Sequence, residues 1–224
     1  MIEKPKKNAL MVLSGGMDSV TMLHEYASEI DMAVYFFYGS NHNERELQYA
    51  RMHCRELGIE LIEIDLSFIG KHFHSSLLEG ADAIPEGEYD FDNMKSTVVP
   101  FRNGIMLAAA AGIAESNGLE VLMIATHAGD HALYPDCRLS FINAMSKAIQ
   151  EGTYDGICIK APYTLLSKTD IAIRGKRLGI DYSKTYSCYR GLEKHCGRCG
   201  TCRERRQALA DAGIVDTTEY EDAL

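Results

Sequence analysis

The sequence predicts an α/β fold built on a doubly wound, mostly parallel β-sheet. Three observations support this prediction. Short apolar runs alternate with segments of helical periodicity, no repeat or low-complexity segment interrupts that order, and a glycine-rich turn directly follows the first apolar run. The 224 residues also fit one domain, since domains commonly contain about 100–200 residues. We therefore expect residues 1–224 to form a single domain.

The first half of the chain has the order strand, helix, strand, helix, strand. The predicted strands are residues 9–13, 32–37 and 60–65, and the predicted helices are residues 18–27 and 44–57. The second helix should end at Gly58, because glycine readily adopts the left-handed conformation that closes many helices. Strands joined by helices in this way pair in parallel.

The same alternation resumes after residue 101. The predicted strands are residues 121–126 and 156–160, and the predicted helices are residues 102–115, 139–150, 167–178 and 203–212. Ser167 followed by Asp170 resembles a capping box and predicts the start of the third of these helices. Residues 66–98 break the alternation and are rich in serine, glycine, histidine and acidic residues. They predict either a lid over a substrate or a solvated loop.

The composition argues against several classes of protein. With 32 acidic and 23 basic residues the chain carries a net charge of −9, whereas proteins held by nucleic-acid phosphates usually show a basic face. Tight nucleic-acid binding is therefore not expected, although one local basic patch keeps the idea open: Lys184, Arg190, Lys194, Arg198, Arg203, Arg205 and Arg206. No uninterrupted apolar run reaches the ~18 residues of a membrane helix, and the start of the chain lacks the apolar region of a signal peptide. We expect a cytoplasmic protein without a membrane partner.

Residues 14–19, Ser-Gly-Gly-Met-Asp-Ser, form the most specific local motif. They stand between the first strand and the first helix, where glycines let backbone amides approach an anion and the helix N-terminus adds partial positive charge. The hydroxyls of Ser14 and Ser19 add donors, and Asp18 either caps the helix or binds the magnesium that accompanies ATP. The alternative is an ordinary glycine-rich turn. The motif resembles the PP-loop of ATP pyrophosphatases, which is neither a Walker loop nor a dinucleotide fingerprint.

Four of the seven cysteines lie close together near the C-terminus: Cys188, Cys196, Cys199 and Cys202. Short spacers with glycines inside them allow four thiolates to face one centre, which suits zinc in a closed, structural site. We therefore expect a zinc-binding segment at about residues 185–212. An iron–sulfur cluster is the alternative, and His195 could replace Cys188 as a ligand.

Several further motifs occur in order along the chain. They are Val99-Pro100-Phe101-Arg102-Asn103, Tyr134-Pro135-Asp136-Cys137-Arg138, Thr185-Tyr186-Ser187-Cys188-Tyr189 and the segment from His195 to Cys202. Together with residues 14–19, which we call the phosphate loop, they resemble the 7-cyano-7-deazaguanine synthase family of the queuosine pathway. The resemblance extends over about residues 9–209.

The resemblance implies a doubly wound sheet of the adenine-nucleotide alpha-hydrolase (PP-loop) type and an ATP-dependent C–N ligase. The implied reaction converts 7-carboxy-7-deazaguanine and ammonia to the 7-nitrile through adenylated acid and amide intermediates. The family also implies ATP with magnesium, structural zinc and a homodimer. Two alternatives remain: a related ligase that joins the deazaguanine carboxylate to another amine, and a tRNA-modifying PP-loop enzyme.

The resemblance also suggests roles for individual residues. The implied ATP-binding residues are Leu13, Ser14, Gly15, Gly16, Met17, Asp18, Ser19, Val20, Thr21, Met22 and Leu23. The implied catalytic residues are Asp18, Ser19, Arg102 and Lys168, and the implied substrate-binding residues are Tyr38, Phe101, Arg102 and Asp136. Each has a plainer alternative: a salt bridge for Arg102, an exposed position for Lys168, helix capping for Asp136 and core packing for the aromatic residues. His127 and His131 either line the active site or are solvated.

Overall fold

The computed structural model describes residues 7–87 and 94–221. Within these residues five strands form one parallel sheet, in the order β3-β2-β1-β4-β5. The strands are β1 (Ala9–Val12), β2 (Ile30–Phe37), β3 (Glu60–Asp65), β4 (Val121–Met123) and β5 (Cys158–Lys160). The chain runs outward from β1 to β3 and then returns to the other side of β1. The strand order therefore reverses between β1 and β4, and ligands bind at such switch points in open α/β sheets.

Helices pack on both faces of the sheet. They are α1 (Met17–Glu25), α2 (Asn43–Leu57), α3 (Phe68–His72), α4 (Arg102–Ser116), α5 (Leu139–Gly152), α6 (Lys168–Leu178) and α7 (Gly200–Asp211). Successive strand residues point to opposite faces, so Leu10 packs with Leu107 of α4 whereas Met11 packs with Leu23 of α1. The doubly wound, parallel α/β prediction is confirmed.

The elements differ most from the prediction in three places, and most other boundaries agree within two residues. Strand β4 ends at Met123, three residues early, because residues 124–127 leave the sheet and line a cavity instead. Helix α7 begins at Gly200, directly after Cys199, and helix α3 lies within the segment expected to be irregular. The capping box at Ser167 and Asp170 is present, and Gly58 closes α2 in the left-handed conformation, as predicted.

One helical stretch of the described residues, Lys95–Ser116, is long and apolar enough by composition to cross a membrane. Half of that stretch is buried inside the protein, and α4 packs against β1 and β4. A core helix passes the same composition test, and the contacts of α4 are those of a core helix.

Two helix glycines, one closely packed and one in open space, predict opposite effects of substitution by alanine. A Cβ at Gly175 of α6 would lie 1.9 Å from the Tyr182 hydroxyl, whereas a Cβ at Gly112 of α4 would meet nothing within 4 Å. We expect Gly175→Ala to lower the free energy of unfolding by about 1–3 kcal/mol through overpacking. Gly112→Ala should raise it by about 0.5–1 kcal/mol, because alanine is the better helix former. Urea denaturation measures both, and equal effects of the two variants would contradict the close approach at Gly175.

Candidate active site and metal centre

The phosphate loop brings backbone and side-chain donors together at the start of α1. The amide of Gly15 donates to Ser19 Oγ at 3.2 Å, and the amide of Gly16 donates to Ser14 Oγ at 3.1 Å. The two serine hydroxyls are 3.0 Å apart. Several donors thus converge at a helix N-terminus, an arrangement that favours anion binding.

Gly15 is required by the packing of this loop. Its φ is +89°, and a Cβ there would lie 2.2 Å from the carbonyl oxygen of Glu46 in α2. The loop therefore lies directly against the backbone of α2. No other residue type fits this position without a shift of the helix.

The loop forms one wall of a cavity beyond the carboxyl ends of the strands, with an empty volume of about 1130 Å³ that includes space open to solvent. Other lining residues are Tyr38, His42, Glu46, Arg102, Asn103, Thr126, His127, Asp130, Tyr134, Lys168, Tyr186, Ser187 and Tyr189. The cavity occupies the switch point between β1 and β4, the position expected for a ligand.

Only the first part of the implied ATP-binding segment faces this cavity. The lining includes Leu13, Ser14, Gly16, Met17, Asp18 and Ser19. Val20, Met22 and Leu23 are buried farther along α1, and Thr21 bonds to the Tyr182 hydroxyl at 2.9 Å. Residues 20–23 therefore pack inside the fold, and their contact with a nucleotide stays a prediction.

Lys168 lies inside the cavity among carboxylates. Its Nζ is 2.6 Å from Glu204 Oε2 and 3.4 Å from Asp18 Oδ2, and its side chain is only 10% exposed. Burial alone would lower the pKa of Lys168, but the carboxylates of Asp18 and Glu204 outweigh burial and raise it. Lys168 is therefore a fixed positive charge beside the phosphate loop, not an exposed lysine.

His127 also faces the cavity. Its Nδ1 accepts a hydrogen bond from the Gly129 amide at 3.1 Å, so the neutral ring carries its proton on Nε2. Nε2 lies 3.4 Å from Asp130 Oδ2 and 3.8 Å from Asp18 Oδ2. Of the two histidines considered in the sequence, His127 lines the cavity and His131 does not.

The opposite wall carries Tyr38, His42, Glu46 and Arg102. The Arg102 guanidinium donates to the Tyr38 hydroxyl at 3.2 Å, and His42 Nε2 lies 3.3 Å from the same hydroxyl. Burial raises the pKa of Glu46 to about 8 and lowers the pKa of His42 to about 3. Both side chains are therefore predominantly uncharged at neutral pH. His42 Nε2 lies 3.9 Å from Glu46 Oε2, but the two groups do not form a charged pair in these states.

Two implied substrate residues do not line the cavity. Phe101 has a φ of +54°, is 58% exposed and packs edge-on against Phe141. Asp136 is buried, and its Oδ2 accepts a hydrogen bond from the Asn103 amide at 2.8 Å in the first turn of α4. Phe101 thus faces outward and Asp136 caps a helix, the alternative considered for it, and substrate binding by either residue stays a prediction.

The described part of segment 66–98 contributes nothing to the cavity lining. Ile69, Leu77 and Leu78 are buried in the core, and His72 and His74 are exposed. Glu86 forms an ion pair with Arg190. Part of the acidic stretch 86–90 lies outside the described residues, and closure over a substrate stays a prediction.

Sequence reasoning gave no individual role to several residues that line the cavity or contact Lys168: His42, Glu46, Asp130, Tyr134, Tyr189 and Glu204. One signal was available for the first two. They follow β2 at the start of α2 with a spacing of four residues, and the carboxyl ends of parallel strands commonly carry functional groups in α/β folds. Tyr189 reaches the cavity, and Glu204 reaches Lys168, only because of the path that the C-terminal segment takes.

The four cysteines of the C-terminal motif form a buried cluster. Their Sγ atoms all lie within 4.8 Å of one another, and Cys196 Sγ is 4.0 Å from Cys202 Sγ. Tetrahedral zinc with Zn–S bonds of about 2.3 Å places thiolates about 3.8 Å apart, so the cluster fits the ion. The amides of Arg198 and Cys199 donate to Cys196 Sγ at 3.4 and 3.3 Å, which stabilises thiolate charge.

The thiols of this cluster influence one another strongly. Hydrogen bonds with the other three hold the pKa of Cys196 far below its usual range, while hydrogen bonds with the neighbouring thiols raise the pKa values of Cys199 and Cys202. Four adjacent thiols cannot all ionise without a cation among them. The predicted cysteine cluster is thus present and suited to a metal such as zinc.

His195 does not belong to the cysteine cluster. Its Nε2 accepts a hydrogen bond from the Ser187 amide at 3.0 Å, and its ring packs 4.6 Å from the Tyr186 ring. The alternative in which His195 replaces Cys188 is therefore not supported. Arg205, placed in the basic patch from the sequence, is fully buried and donates to Thr185 Oγ1 at 2.8 Å.

Structural comparison finds a solved structure with a similar fold. The NMN synthetase of Francisella tularensis matches with a TM-score of 0.50 at 14% identity, covering 94% of this chain and 79% of that chain. At this identity the likeness shows the fold alone. The parallel sheet with a phosphate loop at its switch point is that of a nucleotide-binding α/β protein of the PP-loop type.

Sequence comparison gives the family. The model of the queuosine biosynthesis protein QueC family matches residues 8–213. A Porphyromonas gingivalis (strain W83) protein named 7-cyano-7-deazaguanine synthase is 60% identical over 216 residues, covering 96% of this chain and 98% of that protein. Proteins of the same name from Desulfotalea psychrophila and Caldicellulosiruptor bescii are 47% and 44% identical, each covering 95% of this chain and 98% and 97% of their own length. The chain belongs to the queuosine biosynthesis protein QueC family.

The cysteine cluster predicts a metal that depends on Cys202. We expect the purified protein to release close to one zinc per chain on thiol modification, and Cys202→Ser to lose this zinc. Without the metal the remaining thiolates repel one another, so amide hydrogen exchange in α7 should accelerate. Cys158→Ser is the matched control, because Cys158 is an exposed cysteine outside the cluster. Iron with visible absorption in place of zinc would contradict the prediction.

The raised pKa of Glu46 predicts a pH dependence of stability. The ordinary pKa of 4.5 applies to the unfolded chain and a pKa of about 8 to the folded chain, so folding binds the proton more tightly. The resulting stabilisation is complete below pH 4.5 and is lost as the pH rises through about 8. Glu46→Gln mimics the protonated acid and should flatten the fall in unfolding free energy between pH 4.5 and about 8. Glu79→Gln, at an exposed site, should keep the wild-type profile, and identical profiles for all three proteins would contradict the prediction.

Proposed function

We propose that this chain converts 7-carboxy-7-deazaguanine, ammonia and ATP to 7-cyano-7-deazaguanine. The observation that carries the proposal is the convergence of the phosphate-loop donors, Lys168 and Arg102 on one cavity. Such a cavity can hold a triphosphate beside a carboxylate. Near full-length similarity to proteins named 7-cyano-7-deazaguanine synthase supports the choice of substrate.

The chemistry uses the phosphate site twice. The substrate carboxylate attacks the α-phosphorus of ATP, which releases pyrophosphate and forms an acyl-adenylate. Ammonia then attacks the acyl carbon, AMP departs, and one proton is lost to give the amide. The amide oxygen attacks a second ATP, again releasing pyrophosphate, and loss of AMP with two protons leaves the nitrile. The amide oxygen, which cannot leave as oxide, departs on AMP.

The residues of the cavity supply charge and position for these steps. The loop residues Ser14, Gly15, Gly16 and Ser19 bind the phosphates, and Lys168 stabilises charge that develops on the α-phosphate. Arg102 binds the substrate carboxylate from the opposite wall, where Tyr38 also lies. The rings of Tyr38 and Tyr189 provide apolar surface for the deazaguanine ring.

Asp18 is the residue that would hold magnesium. Its Oδ1 is buried and has no hydrogen-bond partner among the described residues, and carboxylate oxygens are the ligands that Mg²⁺ prefers. Magnesium bound with ATP would neutralise phosphate charge. The zinc of the cysteine cluster, with four protein ligands and no open position, would have a structural role.

We propose a cytoplasmic homodimer that uses free ammonia. The exposed apolar side chains of Phe101 and Leu139, 58% and 41% accessible, offer surface for contact with a second copy.

The proposed reaction predicts a specific defect for Asp18→Asn. The protein is incubated with 7-carboxy-7-deazaguanine, ammonium, magnesium and ATP, and the products are followed by mass spectrometry. Wild type should yield nitrile, AMP and pyrophosphate, whereas Asp18→Asn should lose about 100-fold or more in turnover with its fold unchanged. Asp31→Asn is the control, since Asp31 is exposed and lies outside the cavity. Normal turnover of Asp18→Asn would remove the assignment, and ATP cleavage only with another amine would indicate the related ligase.

A further inference from the structure

A second group of metal-ligating side chains lies where α1 and α2 pack together. His24 Nε2 is 3.0 Å from His53 Nδ1, and Glu56 Oε2 is 3.8 Å from the same His53 atom. All three ligand atoms lie within 4.8 Å of one another. None of these residues lines the cavity or belongs to the cysteine cluster.

The hydrogen bond on the far side of the His53 ring fixes its tautomer. His53 Nε2 lies 2.8 Å from the carbonyl oxygen of Lys184. A carbonyl oxygen only accepts, so Nε2 carries the proton and Nδ1 presents its lone pair toward His24 and Glu56. Histidines that bind metals are commonly oriented in this way, by donating the other ring N–H to a backbone carbonyl.

Both rings are neutral, and His24 needs only to move its proton from Nε2 to Nδ1 to bind an ion, because its Nε2 donates to His53 Nδ1 in the 3.0 Å contact. Burial lowers the pKa values of His24 and His53, and the neighbouring His53 lowers the pKa of His24 further. Both imidazoles are therefore neutral near pH 7, and neutral imidazole is the form that coordinates metals.

We propose that His24 Nε2, His53 Nδ1 and the Glu56 carboxylate bind a divalent ion of borderline softness such as Zn²⁺. Two imidazoles and one carboxylate form a known zinc ligand set that leaves a fourth position for water. The site is reachable from solvent, because the Glu56 side chain is 62% exposed. Only a small increase in the separation of the two ring nitrogens is needed, since tetrahedral Zn–N bonds of about 2.1 Å place them about 3.4 Å apart.

An ion at this site would link three elements that support the phosphate loop. His24 lies in the last turn of α1, His53 and Glu56 lie in α2, and Lys184 ends the 3-10 turn Tyr182–Lys184. Two residues beyond that turn, the Tyr186 amide donates to the Gly15 carbonyl at 3.1 Å. The ion therefore stabilises the fold around the loop and takes no part in the reaction.

The test is calorimetric titration of the whole protein with Zn²⁺ after its cysteine cluster has been loaded. Wild type should bind one further equivalent, and the midpoint of thermal unfolding should rise with Zn²⁺ concentration. His24→Ala should weaken this binding by at least about 100-fold, since loss of even a supporting residue costs about 10–100-fold. His74→Ala is the matched control, because His74 is an exposed histidine outside the cluster and should bind as wild type does.

Glu56→Gln provides a second variant at an exposed position, in case His24→Ala disturbs folding. It should also weaken the added equivalent. Co²⁺ in place of Zn²⁺ identifies the ligands, because the added equivalent should show no thiolate-to-cobalt charge transfer. The proposal is overturned if wild type binds no further ion, if His74→Ala loses binding as His24→Ala does, or if the added Co²⁺ carries the thiolate signature. In these outcomes the 3.0 Å contact is an ordinary hydrogen bond between two neutral rings.

Discussion

Backbone contacts on both sides of Gly15 hold the phosphate loop in place. On one side the position of a Cβ would fall 2.2 Å from the Glu46 carbonyl of α2, and on the other the Gly15 carbonyl accepts from the Tyr186 amide at 3.1 Å. The loop is thus fixed between the second helix and the segment that leads to the cysteines. Backbone positions move less than side chains, so donors aimed at an anion keep their geometry before it binds.

The contact between Tyr186 and Gly15 explains why the cysteine cluster, which lies outside the cavity lining, matters to the cavity. Tyr186 and Ser187 line the cavity and stand directly before Cys188. The buried Arg205 guanidinium donates to Thr185 Oγ1, Ser187 Oγ and Thr218 Oγ1, which anchors this segment to α7. A buried arginine with several acceptors is costly to disturb. The cysteine cluster and Arg205 together therefore position one wall of the active site without contacting a substrate.

The charges near the loop are unequal. Asp18 and Glu204 approach Lys168, and Asp18 and Asp130 approach His127, so carboxylates outnumber the fixed cation on this side. A triphosphate placed here would add further negative charge. Its binding requires that a cation enter with it or that a carboxylate move away from the phosphate path. An ion held by the buried Asp18 Oδ1, as proposed, would meet this electrostatic requirement.

The features that could be predicted from the sequence are those whose parts lie close together along the chain. The phosphate loop spans residues 14–19 and the cysteine motif residues 188–202, and the alternation of strands and helices is likewise local. His42 and Glu46 carry one weak signal, their place directly after β2, but they reach the cavity only through the packing of α2. Glu204 meets Lys168 only through the path of the cysteine segment, and long-range packing of this kind has no signature in a single sequence.

Phe101 and Asp136 show a different limit. Both belong to the motifs on which the resemblance to the family rests, yet their side chains pack on or cap the first turn of helix α4. The left-handed backbone of Phe101 turns its ring onto Gly104, where a Cβ would lie 2.4 Å from the ring, and Asp136 caps the same first turn. That turn carries Arg102 into the cavity. Phe101 and Asp136 therefore fix the placement of Arg102, and membership of a motif does not by itself distinguish a residue that faces the cavity from one that positions it.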